Sequence, residues 1–444
     1  MPDIASLDPG HWIRTMTTRQ QLQGPLRRLV EGTALAPLSL LLLPLLALAL
    51  LMTTACASQP VKREPAVYFP PAPALPRLQF LTSFNGLKDI EEQSGFDRFV
   101  VGEKLNLELD KPYGVGMHDG KIYVCDTNTT VVVLDLEKKQ FSSMAGAVGP
   151  GRLSQPVNIS IEADGTKYVS DPVRGQVVVF DKDDAYLRSI GEPGTWKPVD
   201  AVPFGDRLYV ADNANGLVKV FDKLSGELLK TIGDKGDPAE RLDRPTNLAF
   251  DAKGDLYVTD IGRFQVVRFD RDGHFQAMIG KAGDSPGHFA RPKGTAVDRE
   301  GRLYAVDAAF NNVQIFSPEG RVLMFFGDGG LGRGGLMLPA KVAIDEQNVG
   351  YFRSYAAPGF EIEYLVLVTS QFGDRKVSVY GFGHEKGKHY PTEEELRKEI
   401  DEKRRRDLEK LEAEKAKNET PATPAPPGTP PAAEKPPTGK TELP

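Results

Sequence analysis

Cysteine, tryptophan and histidine are scarce: two, two and six in 444 residues. Two cysteines exclude a disulfide framework and any zinc site made of four cysteines. His11 falls in an N-terminal leader, and His118, His274 and His288 fall at unlike places in the repeat described below, so they do not converge on one ion. There is no Gly-x-Ser-x-Gly elbow and no Gly-x-x-x-x-Gly-Lys-Ser/Thr phosphate loop. Positive charge is not in excess either. Lys and Arg total 55 against 61 Asp and Glu, a net charge of −6, which argues against a nucleic-acid partner. Nothing calls for a cofactor, and no catalytic residue or metal-ligand set is assigned.

Long apolar runs are confined to one place. Residues 32–61 carry no charged side chain, Leu38–Met52 is strongly apolar, and Arg14, Arg19, Arg27 and Arg28 precede it. A basic start, an apolar stretch and small residues beyond it point to an export signal over 1–55, with Met16 as an alternative start. The run ends in Thr53-Thr-Ala-Cys56-Ala-Ser58, which resembles a bacterial lipobox with Cys56 as the lipidated residue. The fit is good at Ala55 and Cys56 and departs at Thr53, where an aliphatic residue is usual. An uncleaved anchor of about 20 apolar residues and a simple cleaved signal remain the alternatives. From 56 to 76 the chain is proline-rich and is expected to be a tether, its last eighteen residues spanning roughly 50 Å at about 3.1 Å per residue.

The middle of the chain repeats. Pro112, Pro156, Pro198, Pro245, Pro292 and Pro339 are spaced by 44, 42, 47, 47 and 47 residues. Each opens a passage of short β-rich runs broken by Gly and Asp turns. The second run recurs as Tyr123-Val-Cys-Asp126, Tyr168-Val-Ser-Asp171, Tyr209-Val-Ala-Asp212, Tyr257-Val-Thr-Asp260 and Tyr304-Ala-Val-Asp307. The third recurs as Val131-Val-Val-Leu134, Val177-Val-Val-Phe180, Val218-Lys-Val-Phe221, Val266-Val-Arg-Phe269, Val313-Gln-Ile-Phe316 and Val377-Ser-Val-Tyr380. A fourth run ends in Gly146, Gly191, Gly233, Gly280 and Gly327 and is missing from the last copy. Leu78–Gly86 has the matching pattern and is expected to supply it, closing a ring and removing exposed sheet edges. A period near 45 with four strands per unit suits a propeller blade, and the helical rhythm of an α-solenoid is absent.

These motifs resemble NHL-repeat proteins over 77–384. The resemblance implies an all-β fold, a six-bladed NHL-type β-propeller with an N-terminal strand closing the last blade. The sixth copy departs most: Tyr364–Ser370 lacks the Asp, and Gly350–Gly359 is inserted before it. The repeating aspartates are assigned to the fold, since Asp at a strand end accepts N–H bonds from the turn that follows. Cys125, inside a strand, is expected to be a buried free thiol.

One repeat position varies in chemistry. Two residues after each proline stand Gly114, Asn158, Asp200, Asn247, Gly294 and Lys341, at the start of the innermost strand near the channel mouth. Asn158, Asp200 and Asn247 on consecutive blades offer oxygen donors suited to a hard divalent cation, a set reminiscent of gluconolactonase-type propellers. It departs from them in having no Glu and in having Lys341, which repels a cation. The other reading is a set of polar residues lining a channel. Loops after the second-strand aspartates are the candidate partner surface, with Phe264 and Phe310 as aromatic contacts.

After the propeller, Thr392-Glu-Glu-Glu395 forms a capping box before a charged helix over 385–417 without a heptad seam. A proline-rich tail over 418–444 is expected to be disordered. The expected whole is a monomeric propeller, lipid-anchored in a bacterial cell envelope at the periplasmic or exterior face, with the outer membrane open. It would act as a non-catalytic scaffold for a protein or ligand, an envelope protein being the expected partner. The alternative is a metal-dependent hydrolase or lactonase with its cation at the channel.

Overall fold

A computed structural model describes residues 64–90, 107–128, 130–234, 238, 240–327 and 332–418. The leader, Cys56, and the tail beyond 418 lie outside the described residues. The elements below all belong to the unit Pro65–Pro444.

Among the described residues the strands form six antiparallel sheets. Blade 1 holds β3 (Pro112–His118), β4 (Lys121–Asp126), β5 (Val131–Asp135) and β6 (Gln140–Ser143). Blade 2 holds β7 (Asn158–Ile161), β8 (Lys167–Asp171), β9 (Gln176–Phe180) and β10 (Tyr186–Ile190). Blade 3 holds β11 (Pro198–Phe204), β12 (Arg207–Asp212), β13 (Leu217–Asp222) and β14 (Leu228–Ile232). Blade 4 holds β15 (Pro245–Phe250), β16 (Leu256–Asp260), β17 (Gln265–Phe269) and β18 (Phe275–Ile279). Blade 5 holds β19 (Pro292–Val297), β20 (Leu303–Asp307), β21 (Asn312–Phe316) and β22 (Val322–Phe326). Blade 6 joins both ends of the propeller: β23 (Pro339–Asp345), β24 (Phe360–Ser370) and β25 (Val377–Glu385) are completed by β2 (Leu78–Phe84) and β1 (Val67–Phe69). The innermost strands neighbour one another in the order β3, β7, β11, β15, β19, β23 and back to β3, so the ring is closed.

Closure by β2 follows the sequence expectation. The strand β1 does not: it lies in the stretch expected to be a tether and pairs with β2 through Val67↔Phe80, Tyr68↔Gln79 and Phe69↔Leu78. Val-Tyr-Phe is strongly β-forming, β2 offers it a free edge, and Pro65 and Pro70 bound it. Phe69 then packs on Phe326 and Tyr380, with ring centroids 6.0 and 6.2 Å apart.

Among the described residues the core consists of six apolar clusters, one at each blade interface. Tyr168, Val177 and Val179 of blade 2 meet Ala201, Leu208 and Val210 of blade 3, for example, and Leu81 and Phe84 meet Val115, Ile122 and Val124 where blade 6 joins blade 1. Each buried Val, Leu, Ile or Phe among them contributes about 1.5–3 kcal/mol by leaving water. The inserted segment before β24 forms a short 3₁₀ helix, Val349–Tyr355, that sends Val349 and Phe352 into this last interface.

The repeated aspartates tie two loops at once. Asp260 accepts the N–H groups of Asp243 (2.8 Å) and Arg244 (3.0 Å) from the loop entering its blade, and that of Gly262 (3.0 Å) from the turn after β16. Asp126, Asp171, Asp212 and Asp307 hold equivalent loops in their own blades. In blade 6, Ser370 pairs with Pro339 at the place where Asp pairs with Pro elsewhere. Its hydroxyl accepts Met337 N–H at 3.2 Å, and Asn311 of blade 5 accepts Leu338 N–H at 2.7 Å. A serine and a borrowed amide thus replace one carboxylate.

The C-terminal helix α1 runs Glu393–Asn418. Glu395 accepts Thr392 N–H at 2.7 Å and donates its own N–H to Thr392 Oγ1 at 3.3 Å, the reciprocal cap expected from sequence. Among the described residues no helix is long and apolar enough to cross a membrane.

Candidate functional site

The ring brings Asn158, Asp200, Asn247 and Lys341 together from blades 2, 3, 4 and 6. They line no open mouth: the first three are 0% exposed and Lys341 is 6% exposed. Asp200 is the hub. Its Oδ2 accepts Lys341 Nζ at 2.9 Å, Leu248 N–H at 2.9 Å and Asn247 Nδ2 at 3.3 Å, while Oδ1 accepts Ala201 N–H at 3.0 Å. Blades 3 and 6 face each other across the ring, so the Lys341 side chain spans the axis and plugs the channel. Gly114 and Gly294, at the same repeat position on blades 1 and 5, make room. A Cβ on Gly114 would stand 2.6 Å from the Asn158 Cα, and one on Gly294 would stand 2.5 Å from the Lys341 Cα.

Asn158 donates Nδ2 to Val199 O at 2.7 Å, but the Oδ1 atoms of Asn158 and Asn247 are buried without a hydrogen-bond partner. A divalent cation would find oxygen donors in these two amides and in Asp200. It would also find the Lys341 ammonium on the same carboxylate, so this donor set does not fit a cation while the pair is made. Among the described residues no three His, Cys, Asp or Glu side chains come within reach of a common ion.

On the far side of Lys341 the channel continues as a cavity of about 350 Å³, lined chiefly by apolar side chains such as Val115, Ile159, Leu248, Phe250 and Val342, with Glu162 and Asp345 also on its wall. Cys125 is fully buried in the blade 1–2 core, and burial holds its thiol well above the usual range.

The sequence reading missed the residues one position before the plug. Tyr113 and Lys293 follow the repeat prolines of blades 1 and 5, where the other copies have Val157, Val199, Thr246 and Ala340. Lys293 is 6% exposed, donates to Gln371 Oε1 at 2.9 Å and lies 5.3 Å from the centre of the Tyr113 ring. Burial, with Arg291 and Lys111 nearby, lowers its ammonium from 10.5 to about 8. Burial and the Asp200 charge push the Tyr113 phenol up. The signal available in the sequence was a lysine in an otherwise small or apolar column.

Phe264 and Phe310 take no part in the plug. They occupy the turns after β16 and β20, Phe264 with φ +57° and 37% exposed, Phe310 half-buried with its N–H on Asp307.

No protein-family model matches the chain. Among solved structures it is similar to virginiamycin B lyase from Staphylococcus aureus, at 11% identity over 64% of this chain and 86% of that one, with a TM-score of 0.41. A gluconolactonase from Xanthomonas campestris matches at 14% identity over 73% and 99% of the two chains, with a TM-score of 0.46. An auxiliary nutrient binding protein from Bacteroides thetaiotaomicron matches at 14% identity over 62% and 69%, with a TM-score of 0.46. Two of these are enzymes and one is a binding protein, so likeness at this level does not choose between catalysis and binding.

Proposed function

We propose that this protein is an exported propeller of the NHL type, anchored through a lipid on Cys56 in a bacterial cell envelope, and that it works as a non-catalytic binding scaffold. The observation that supports this reading is the Lys341–Asp200 pair at 2.9 Å. A metal-dependent lactonase needs an open carboxylate at the channel, and here the chain's own ammonium takes that position. The rigid ring then serves to present loops, those after β4, β12, β16 and β20, to an envelope protein, with Phe264 and Phe310 as aromatic contacts. The propeller acts as a monomer and takes no nucleic acid.

Two measurements test this. Mass spectrometry of the mature protein should find an acylated N-terminal Cys56, and Cys56→Ala should release the protein from membranes. Affinity purification from detergent-solubilised membranes should return one stoichiometric protein that Phe264→Ala with Phe310→Ala no longer retains; recovery of the same protein by the double variant removes these loops as the contact.

A second reading, the metal-dependent hydrolase, is favoured by the two orphaned amide oxygens of Asn158 and Asn247. Elemental analysis separates the two. A stoichiometric divalent ion that is lost in Asp200→Ala selects the enzyme; a metal-free wild type selects the scaffold.

A further inference from the structure

Above the plug, three adjacent blades place positive charge on one side of the channel mouth. Lys293 of blade 5 is buried, and the contacts its ammonium makes, the Gln371 amide oxygen of blade 6 and the Tyr113 ring of blade 1, are all neutral. The charged side chains that act on it, Arg291 and Lys111, are both cationic and both belong to exposed residues. Their main chains are fixed: Arg291 N–H donates to Asp307 and Lys111 N–H to Asp126, each at 3.1 Å, so the two side chains start from rigid points beside the mouth. Lys376 adds a fourth cation, with Nζ held on Asp110 O at 2.8 Å and on Gln371 O at 3.0 Å. Among the described residues no ion pair engages Lys293, Arg291, Lys111 or Lys376.

A buried charge is retained at low cost only when it is paired. Asp200, one repeat position further along its own innermost strand, is paired inside the chain. Lys293 is not, and the charged side chains beside it, Arg291 and Lys111, repel a cation and attract an anion. We propose that this side of the mouth is an oxyanion-binding site, in which Lys293, backed by the Tyr113 ring, receives the carboxylate or phosphate group of a small ligand together with Arg291 and Lys111. The guanidinium of Arg291 supplies the planar two-point donor that both groups accept, and the Lys293 ammonium supplies a desolvated point charge. The Lys341 plug forms the floor, so the ligand stays above the channel with the rest of its body toward the loops. This site does not depend on a protein docking on those loops. An empty affinity purification would remove the scaffold reading and leave the site standing.

The test is calorimetric titration of the full-length protein in detergent at pH 7, with inorganic phosphate and, separately, with citrate, total ionic strength held constant with chloride. The expected result is saturable binding of one or both anions with Kd on the order of 1 mM or tighter. Lys293→Gln and Arg291→Ala should each weaken it by about tenfold. Preference for phosphate assigns a phosphoryl ligand, and preference for citrate a carboxylate. Should Lys293→Gln fail to fold, Arg291→Ala and Lys111→Ala, both surface changes, carry the same comparison. Absence of saturable binding to either anion, or affinity unchanged in Arg291→Ala and Lys111→Ala, overturns the proposal.

Discussion

On the side of the mouth built by blades 2, 3 and 4, the buried Asp200 carboxylate collects a lysine ammonium, two main-chain N–H groups and an amide. On the side built by blades 5, 6 and 1, the Lys293 ammonium, also buried, meets one amide oxygen and one aromatic face. Both are single charges in low-dielectric surroundings, so the Coulomb and solvation terms that act on them are alike in kind. What differs is whether the chain supplies the opposite charge. A self-neutralised charge is a strut. A charge left for something else to neutralise is a binding feature, and its owner carries the cost while the site is empty.

Replacing either lysine by methionine should therefore have opposite signs. Lys341→Met strands the Asp200 carboxylate and is expected to cost about 3–5 kcal/mol of unfolding free energy in a denaturant titration. Asp200→Asn with Lys341→Met removes both charges and should recover most of that loss. An unchanged midpoint in Lys341→Met would mean that water reaches Asp200, and the plug would have to be abandoned.

Lys293→Met at pH 7 should stabilise instead. The folded-state value near 8 lies below the unfolded lysine value near 10.5, so between these the unfolded chain holds more protons, and wild-type stability climbs with pH. Below pH 8 the penalty is complete, about 3 kcal/mol, and it fades as pH approaches 10.5. Of the groups beside Lys293, the Tyr113 phenol is held above its usual range by burial and by the Asp200 charge. Because Cys125 and buried tyrosines also respond in alkaline solution, the readout is the difference between wild type and Lys293→Met across pH 7–10.5. A flat difference refutes the unpaired charge, and saturating phosphate or citrate should flatten it if the oxyanion site is real.

Much of this architecture was legible because a propeller repeats its chemistry. Five Tyr-x-x-Asp strands in register announced the blades, and Leu78–Gly86 was recognisable as the missing outer strand because it copied Val322–Gly327. The strand Val67–Phe69 was not legible, since three β-forming residues among prolines look like a spacer until β2 provides an edge to pair with. Asn158, Asp200, Asn247 and Lys341 stood out through a shared repeat offset. Lys341 nevertheless read as a group hostile to a cation, whereas it is the cation. That role depends on blades 3 and 6 facing each other, a relation that spacing along the chain does not express. The Ser370 and Asn311 substitute for the sixth aspartate was hidden for the same reason, because half of it comes from another blade.

The glycines flanking the plug sharpen the comparison with the smallest expected effect. Neither Gly114 nor Gly294 has a left-handed φ, so alanine is conformationally acceptable at both, and the obstacle is the neighbouring strand. Each new methyl group would meet main chain, at 2.6 Å from Asn158 Cα or 2.5 Å from Lys341 Cα, and overpacking of this kind costs about 1–3 kcal/mol. The two changes should then part company. Gly294→Ala displaces the strand that carries Lys341 and so stretches the ion pair; Gly114→Ala displaces Asn158, whose side chain donates to Val199 O rather than to Asp200. In thermal unfolding, Gly294→Ala should be less than additive with Lys341→Met, since both spend the same interaction, while Gly114→Ala should add to it within about 0.5 kcal/mol. Equal coupling for both glycines would mean that the mouth yields as one body and that its two sides are not mechanically separate.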